Sequence, residues 1–429
     1  MTSRTDLACP RPPCQTMDRE YFLVTIAPLK QHKGRRSNDM EAMILVGGRG
    51  TRLEPLTDTR PKPLVALLNA PILESIIQHL KDEGVDRITL LTGYHADDLR
   101  QYAGSGNRWG VTVEYLQERT PLGTAGSVIR ALDLKPRQDP FLVVSGDGLT
   151  NISFAHFYHQ CQAQSAHAAI LLAQSVEPQR YGVVHTDAHG YVRSFEEKPT
   201  HAPTPAWINT GIYYIDPRQL ATLPHNTPLD FGRQVFPRWV AEQRPFLGIR
   251  SEGYWTDIGT IQSYHQAIDD ILDETVLLAG VIRYPVNVNG QPNPAGRATV
   301  YIDPTAHISP RATIGPYSVI GPHAYVGDRA RIDHSIVRAY ARIEAGASLQ
   351  NAIVAEHSIV SVNATLSDGV VIGEACQIGE SVHLPPDTHL PAFTTCTTFE
   401  SMRPQEAGGN HVAIHVSASA PVLHTPQSA

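Results

Sequence analysis

Fourteen aliphatic residues in the last third of the chain recur at a spacing that neither a helix nor a flat strand produces. Ile302, Ile308, Ile314, Ile320, Val326, Ile332, Val337, Ile343, Leu349, Val354, Val360, Leu366, Ile372 and Ile378 are separated by 13 intervals, eleven of six residues and two of five. A helix repeats near 3.6 residues and a strand at two. A small residue stands two positions before eleven of these anchors, from Ala306 and Ala312 to Ser358 and Ala364, and Gly315, Gly321, Gly327, Gly373 and Gly379 directly follow theirs. Small residues at such corners and a six-residue period describe a parallel β-helix, expected to be left-handed, whose coils stack aliphatic on aliphatic into one continuous core.

The repeats occupy 301–385. Before them, a segment containing Pro285, Pro292 and Pro294 reads as a linker over 276–300, and 386–429, rich in Pro, Thr, Ser and His, reads as a loose tail. Residues 1–39 carry seven basic against four acidic side chains and no pattern of a folded unit. The apolar stretch from Tyr21 to Leu29 is short and no small-residue cleavage site follows it, so export is not expected. Met40, directly before a strand-like run, is an alternative physiological start, with the preceding residues then a mis-assigned or dispensable extension.

From 40 to 275 the periodicity alternates. Ala42 to Val46, Arg87 to Thr92, Val111 to Leu116 and Phe141 to Val144 read as strands, and 71–83, 95–103, 124–133 and 153–164 as helices. That order implies an α/β domain with parallel strands covered by helices on both faces, whose ligands bind beyond the carboxyl ends of the strands. Gly182 to Thr186 and Tyr191 to Glu196 form a predicted hairpin over that mouth.

Composition excludes other classes. With 41% hydrophobic and 18% charged residues the chain is neither disordered nor fibrous, and no apolar run approaches the roughly 20 residues of a membrane span. A net charge of -7 argues against a general nucleic-acid binder. The five cysteines contain no CxxC pair, so neither a disulfide framework nor a thiolate zinc site is expected, and a reducing cytoplasm fits best. His185 and His189 have HxxxH spacing but fall in the predicted hairpin, without the Glu of an HExxH helix, and read as solvated turn residues.

Gly47, Gly48, Arg49, Gly50, Thr51, Arg52 and Leu53 follow the first strand directly. Their N–H groups are placed to surround a phosphate chain while Arg52 supplies a cation. The run is neither a Walker A loop nor GxGxxG. Pro61-Lys62-Pro63 holds a second cation between two ring-restricted neighbours. Asp147, after the fourth strand, lies on the same sheet edge as the glycine loop. Two carboxylates, Asp147 and Asp257, together with phosphate oxygens and water are a donor set that Mg²⁺ prefers.

These elements, with 122–126 (LGTAG), 146–147 (GD), 196–199 (EEKP), 209–211 (NTG) and 255–260 (WTDIGT), resemble the sugar nucleotidyltransferase family over about 41–270. Pro121 and the LGTAG that follows it look most like its mannose-1-phosphate guanylyltransferases. The resemblance implies a Rossmann-like nucleotidyltransferase domain with a mixed sheet, followed by the left-handed parallel β-helix. It further implies transfer of a nucleotidyl group from an NTP, GTP first, to a sugar 1-phosphate, mannose 1-phosphate first, with Mg²⁺ as cofactor. Adenylyl, uridylyl or thymidylyl transfer to glucose 1-phosphate is the alternative.

Carried onto this chain, the resemblance assigns Gly47, Gly48, Gly50, Thr51, Gln117 and Gly123 to the nucleotide, with Glu118 in place of Gln117 if the spacing differs. Arg52, Lys62 and Lys198 become the catalytic cations, Tyr181, Gly182, Glu197 and Asn209 face the sugar phosphate, and Asp147 and Asp257 hold the metal. An acetyl-transferring β-helix and a non-catalytic NDP-sugar sensor are weaker readings. The regular coils favour a structural role, with a homo-oligomer forming through their faces, and the cations and metal carboxylates of an active enzyme, Arg52, Lys62, Lys198, Asp147 and Asp257, are all present. Neither a nucleic acid nor a membrane is expected as a partner.

Overall fold

In the computed structural model, residues 40–280, 300–399 and 414–418 are described. The extension 1–39, most of the linker and most of the expected tail lie outside them. The first domain contains strands β1 Glu41–Val46, β2 Arg87–Thr92, β3 Thr112–Gln117, β4 Phe141–Ser145, β5 Gly148–Thr150, β6 Ala168–Ser175, β7 Gly182–Thr186, β8 Val192–Glu197, β9 Ala206–Ile215, β10 Leu247–Arg250 and β11 Trp255–Asp257. Its α-helices are α1 Ile72–Asp82, α2 Ala96–Ala103, α3 Gly123–Leu134, α4 Phe154–Ala163, α5 Phe236–Ala241 and α6 Ile261–Leu272.

The main sheet is mixed, in the order β10-β6-β9-β4-β1-β2-β3. β9 runs antiparallel to both β4 and β6, while β1 pairs in parallel with β2 and β4. Period-two alternation divides each central strand between two cores. On β1, Ala42, Ile44 and Val46 face the core that includes α1, α4 and α6, whereas Met43 faces the core of α3 and α5. Strand order reverses between β1 and β4, since β2 and β3 lie on one side of β1 and β4 on the other. Such a reversal opens a crevice at the carboxyl ends of the two strands, where the glycine loop and Asp147 sit.

The second domain is a left-handed parallel β-helix of three sheets, each joining every third short strand. Every anchor from Ile320 to Ile378 is essentially buried. The alanines two positions earlier, Ala324, Ala330, Ala341, Ala347, Ala352 and Ala364, are fully buried as well. The left-handed corner conformation falls on large residues, including Tyr317 (φ 55°), His323 (φ 56°) and Tyr340 (φ 60°). The stack also runs past 385: Leu384 and Leu390 continue the six-residue period fully buried, and Thr394–Phe399 adds another strand paired with Ile414–Ala418. Turn-forming Pro, Thr and His around those two leucines look like a tail in composition alone.

One face of the β-helix is apolar on both sides. In Val319-Ile320, Ile336-Val337, Ile353-Val354 and Val371-Ile372 the second residue fills the coil interior. The first joins the α1 and α6 core of the other domain. On the remaining faces the corresponding outward positions include Arg331, Arg342, Gln377 and His383, all exposed, and no outward residue there is fully buried. The described residues of the two domains belong to a single compact unit.

Candidate active site

Gly50 ends the glycine loop at φ 72°, and a Cβ there would approach the Lys62 Cβ to 3.0 Å. Both the left-handed backbone and the proximity require glycine. Thr57 Oγ1 donates to the Gly50 carbonyl at 3.1 Å, so the loop and the segment leading to Lys62 are tied together. Lys62 opens a 3₁₀ turn, Lys62–Leu64, and its stem is almost fully buried. Its Nζ forms an ion pair with Asp147 Oδ2.

Asp147 lies in the turn between β4 and β5, and its Oδ1 accepts from Ser145 Oγ at 2.5 Å. Burial acts to raise the Asp147 carboxyl, but the Lys62 ammonium and the Ser145 hydroxyl more than offset it, holding it below the ordinary 3.8. Asp257 reaches the same region through a two-stranded ribbon: β11 pairs antiparallel with β5, placing Asp257 opposite Gly148. The Ile258 N–H donates to the Asp147 carbonyl at 2.9 Å. Asp257 Oδ1 accepts from Tyr181 Oη at 2.7 Å, and Arg180 Nη2 lies 3.7 Å away.

Two cavities meet at Arg52, Ser145 and Asp147. The larger, about 420 Å³, has Gly47, Gly48, Gly50, Thr51, Lys62 and Gly123 among its walls. The smaller, about 340 Å³, is lined by Tyr181, Gly182, Glu197, Lys198, Asn209 and Asp257. Both are within the size range of ligand pockets. The β7–β8 hairpin builds one side of the smaller cavity, with Gly182 opposite Glu197. Burial raises the Glu197 carboxyl above the ordinary 4.5. Asn209 sits on β9, donating from Nδ2 to Tyr213 Oη at 3.1 Å and accepting from the Gly211 N–H at 3.0 Å.

Of the residues expected at the site, Gln117 alone lies outside both cavities. It is the last residue of β3, and its Oε1 accepts from Arg100 Nη1 at 3.1 Å on the outer side of the sheet. Alternation along the strand turns the next residue the other way, and Glu118 lines the larger cavity. Glu118 Oε2 accepts from the Leu122 N–H at 3.2 Å. Its Oε1 is buried and has no hydrogen-bond partner among the described residues.

Arg180, Ser145 and Asp230 also line the cavities and were not singled out from the sequence. Arg180 directly precedes Tyr181-Gly182, and that adjacency was the available signal. Asp230 had none, since its loop is brought in by Thr124, whose Oγ1 donates to Asp230 Oδ2 at 2.9 Å. His185 and His189 are exposed on and beside β7. Among the described residues no group of three or more His, Cys, Asp or Glu is arranged to cage a metal. Asp147 and Asp257 both line the smaller cavity. No helix among the described residues is long and apolar enough to cross a membrane.

The family described as Nucleotidyl transferase matches residues 41–274, more than half of the chain. The chain belongs to that family. Residues 297–399 match the GMPPB C-terminal domain family. Among nucleotidyl transferase relatives, the chain is 32% identical over 252 residues to a UTP--glucose-1-phosphate uridylyltransferase of Synechocystis, covering 55% of this chain and 64% of that protein. It is 32% identical over 271 residues to mannose-1-phosphate guanylyltransferase catalytic subunit beta of Drosophila pseudoobscura pseudoobscura, covering 63% and 70%. It is 30% identical over 237 residues to a mannose-1-phosphate guanylyltransferase of Mycobacterium tuberculosis, covering 55% and 66%. The chain therefore spans just under two thirds of the first and third of these relatives.

Proposed function

We propose that the chain transfers a nucleotidyl group from an NTP to a sugar 1-phosphate, with GTP and mannose 1-phosphate as the preferred pair. The observation that carries this reading is the shared wall of the two cavities. Arg52 and Asp147 border both, so a triphosphate beside the glycine loop and Lys62 would present its α-phosphorus to a sugar phosphate beside Lys198. A sugar phosphate oxygen would form a bond to the α-phosphorus as the bond to the β-phosphate oxygen breaks and pyrophosphate leaves in line. The monoester oxygen is already ionised at neutral pH, so no general base is needed.

Repulsion between the two anions is the barrier the protein has to lower. Arg52 and Lys62 hold the triphosphate, Lys198 and Arg180 receive the sugar phosphate, and Glu197 and Asn209 bind hydroxyls. These groups act by positioning and by stabilising charge as it develops. Asp147 and Asp257 would hold Mg²⁺, which keeps several waters and takes one or two carboxylates alongside phosphates. When bound, that ion would neutralise phosphate charge.

Glu118 supports the choice of GTP. A carboxylate only accepts, and its buried, partnerless Oε1 would suit donors on a base, such as guanine N1–H and N2–H₂. Two of the relatives named above are guanylyltransferases. The uridylyltransferase of Synechocystis supports a second reading, UTP with glucose 1-phosphate. The free, buried thiols of Cys161 and Cys376 are in keeping with a cytoplasmic location. The test is a matrix of GTP, ATP, UTP and dTTP against mannose and glucose 1-phosphates, read by Mg²⁺-dependent pyrophosphate formation. Highest turnover for GTP with mannose 1-phosphate is expected, and absence of pyrophosphate from every pair overturns the reading.

A further inference from the structure

Lys62 is carried by a segment with no place in the main sheet, and the β-helix grips that segment on both sides. Upstream, Arg60 Nη1 donates to Glu356 Oε1 at 2.7 Å and Nη2 to Glu374 Oε2 at 2.6 Å. Thr59 Oγ1 donates to the same Glu374 oxygen at 2.5 Å, and Asp58 Oδ2 accepts from the Ala392 N–H at 2.9 Å. Downstream, Arg338 is buried and its Nη1 donates to the Leu67 carbonyl at 2.5 Å, while Nη2 donates to Tyr264 Oη. Thr57, one residue before this grip, holds the Gly50 carbonyl.

We propose that the β-helix is a positioning device for the nucleotide site: Arg60, clamped by Glu356 and Glu374, fixes the Lys62 turn against the glycine loop. The proposal rests on the reading that Lys62 holds the triphosphate. Arg60 touches neither cavity and acts only through the backbone two residues away. The geometry is demanding because a planar guanidinium that bridges two carboxylates, one from each terminal nitrogen, sets direction as well as distance. The cavity that would receive the sugar phosphate has no wall from this segment, so the effect of the clamp falls on the nucleotide.

The experiment compares full-length wild type with Arg60→Ala, Arg60→Lys and the conservative Glu356→Gln/Glu374→Gln pair, each checked for native circular dichroism. Hydrogen exchange of the Leu64 and Val65 amides, which close the Lys62 turn, reads the clamp without substrate, and about tenfold faster exchange is expected in Arg60→Ala. Steady-state pyrophosphate release then separates the substrates. kcat/KM for the NTP is expected to fall by about tenfold to a hundredfold while KM for the sugar 1-phosphate stays within about twofold. Arg60→Lys is expected to recover only part, and Lys62→Ala added to Arg60→Ala to cost less than it does alone. Unchanged exchange, equal effects on both substrates, or full additivity overturns the proposal. Inactivity of wild type with every substrate pair sinks the functional reading instead, and the exchange result still decides the clamp. If Arg60→Ala does not fold, the Gln pair carries the same two outcomes.

Discussion

Lys62 and Asp147, 85 positions apart in the sequence, form an ion pair where the two cavities meet. In the proposed reaction both acquire new partners, Lys62 the triphosphate and Asp147 the metal, so the pair stores the two charges in register until substrate arrives. Asp147→Asn and Arg52→Ala are each expected to lower turnover by about 10²-fold or more with folding retained. Near-normal pyrophosphate release from both variants, with native circular dichroism, would contradict these roles.

Base choice is expected to respond to Glu118. Glu118→Gln replaces one acceptor oxygen by an NH₂ donor facing the base, and the ratio of kcat/KM for GTP over UTP should fall by about tenfold or more. Competition between the two NTPs in one reaction measures that ratio directly. An unchanged ratio removes Glu118 from base recognition.

Gly50→Ala forces a side chain onto a left-handed residue and against the Lys62 stem. A stability loss of about 1–2 kcal/mol is expected from the backbone alone, together with weaker NTP binding as Lys62 is displaced. Urea midpoints and KM for the NTP measure the two effects separately.

The outward apolar residues of the β-helix are expected to stabilise both domains at once. Ile353→Ala, fully buried against the first domain, should cost about 2–4 kcal/mol. Tryptophans lie only in the first domain, so coincident fluorescence and circular dichroism transitions would report one cooperative unit. A loss confined to the β-helix signal would show that the domains unfold separately.

Acid should release the clamp. Burial acts to raise the Glu374 carboxyl, but hydrogen bonds from Thr59 and Arg60 outweigh it, and its value in the folded protein lies below the ordinary 4.5. A depressed carboxylate contributes stability that is complete above the unfolded value and lost as pH falls through the folded one. The melting temperature of Glu374→Gln should therefore lie below that of wild type at neutral pH, and the difference should shrink as pH falls below 4.5. A difference that stays constant throughout the acid range would show that Glu374 is not the titrating group.

Much of the site was legible because its residues are covalent neighbours. The run from Gly47 to Arg52 and the Lys62 turn each place several groups by sequence adjacency, and the strand ends set which sheet edge they share. Gln117 and Glu118 mark where this fails: moving one residue along an extended chain reverses the side chain's direction, so a strand boundary uncertain by one position exchanges the two. The β-helix runs beyond the expected boundary at 385 for a related reason. Leu384 and Leu390 keep the period, but the turn-rich residues around them resemble a tail by composition.

The coil interior and the glycine loop follow from local order along the chain, since a repeat of six and a glycine run act over distances that connectivity controls. Only the tertiary structure decided that one face of the coils is a second interior and that Glu356 and Glu374 meet Arg60 across about 300 residues of chain. Both depend on how two already folded surfaces dock. Docking is chosen by the sum of many weak apolar contacts and a few directed charges, and neither leaves a periodic trace along the chain.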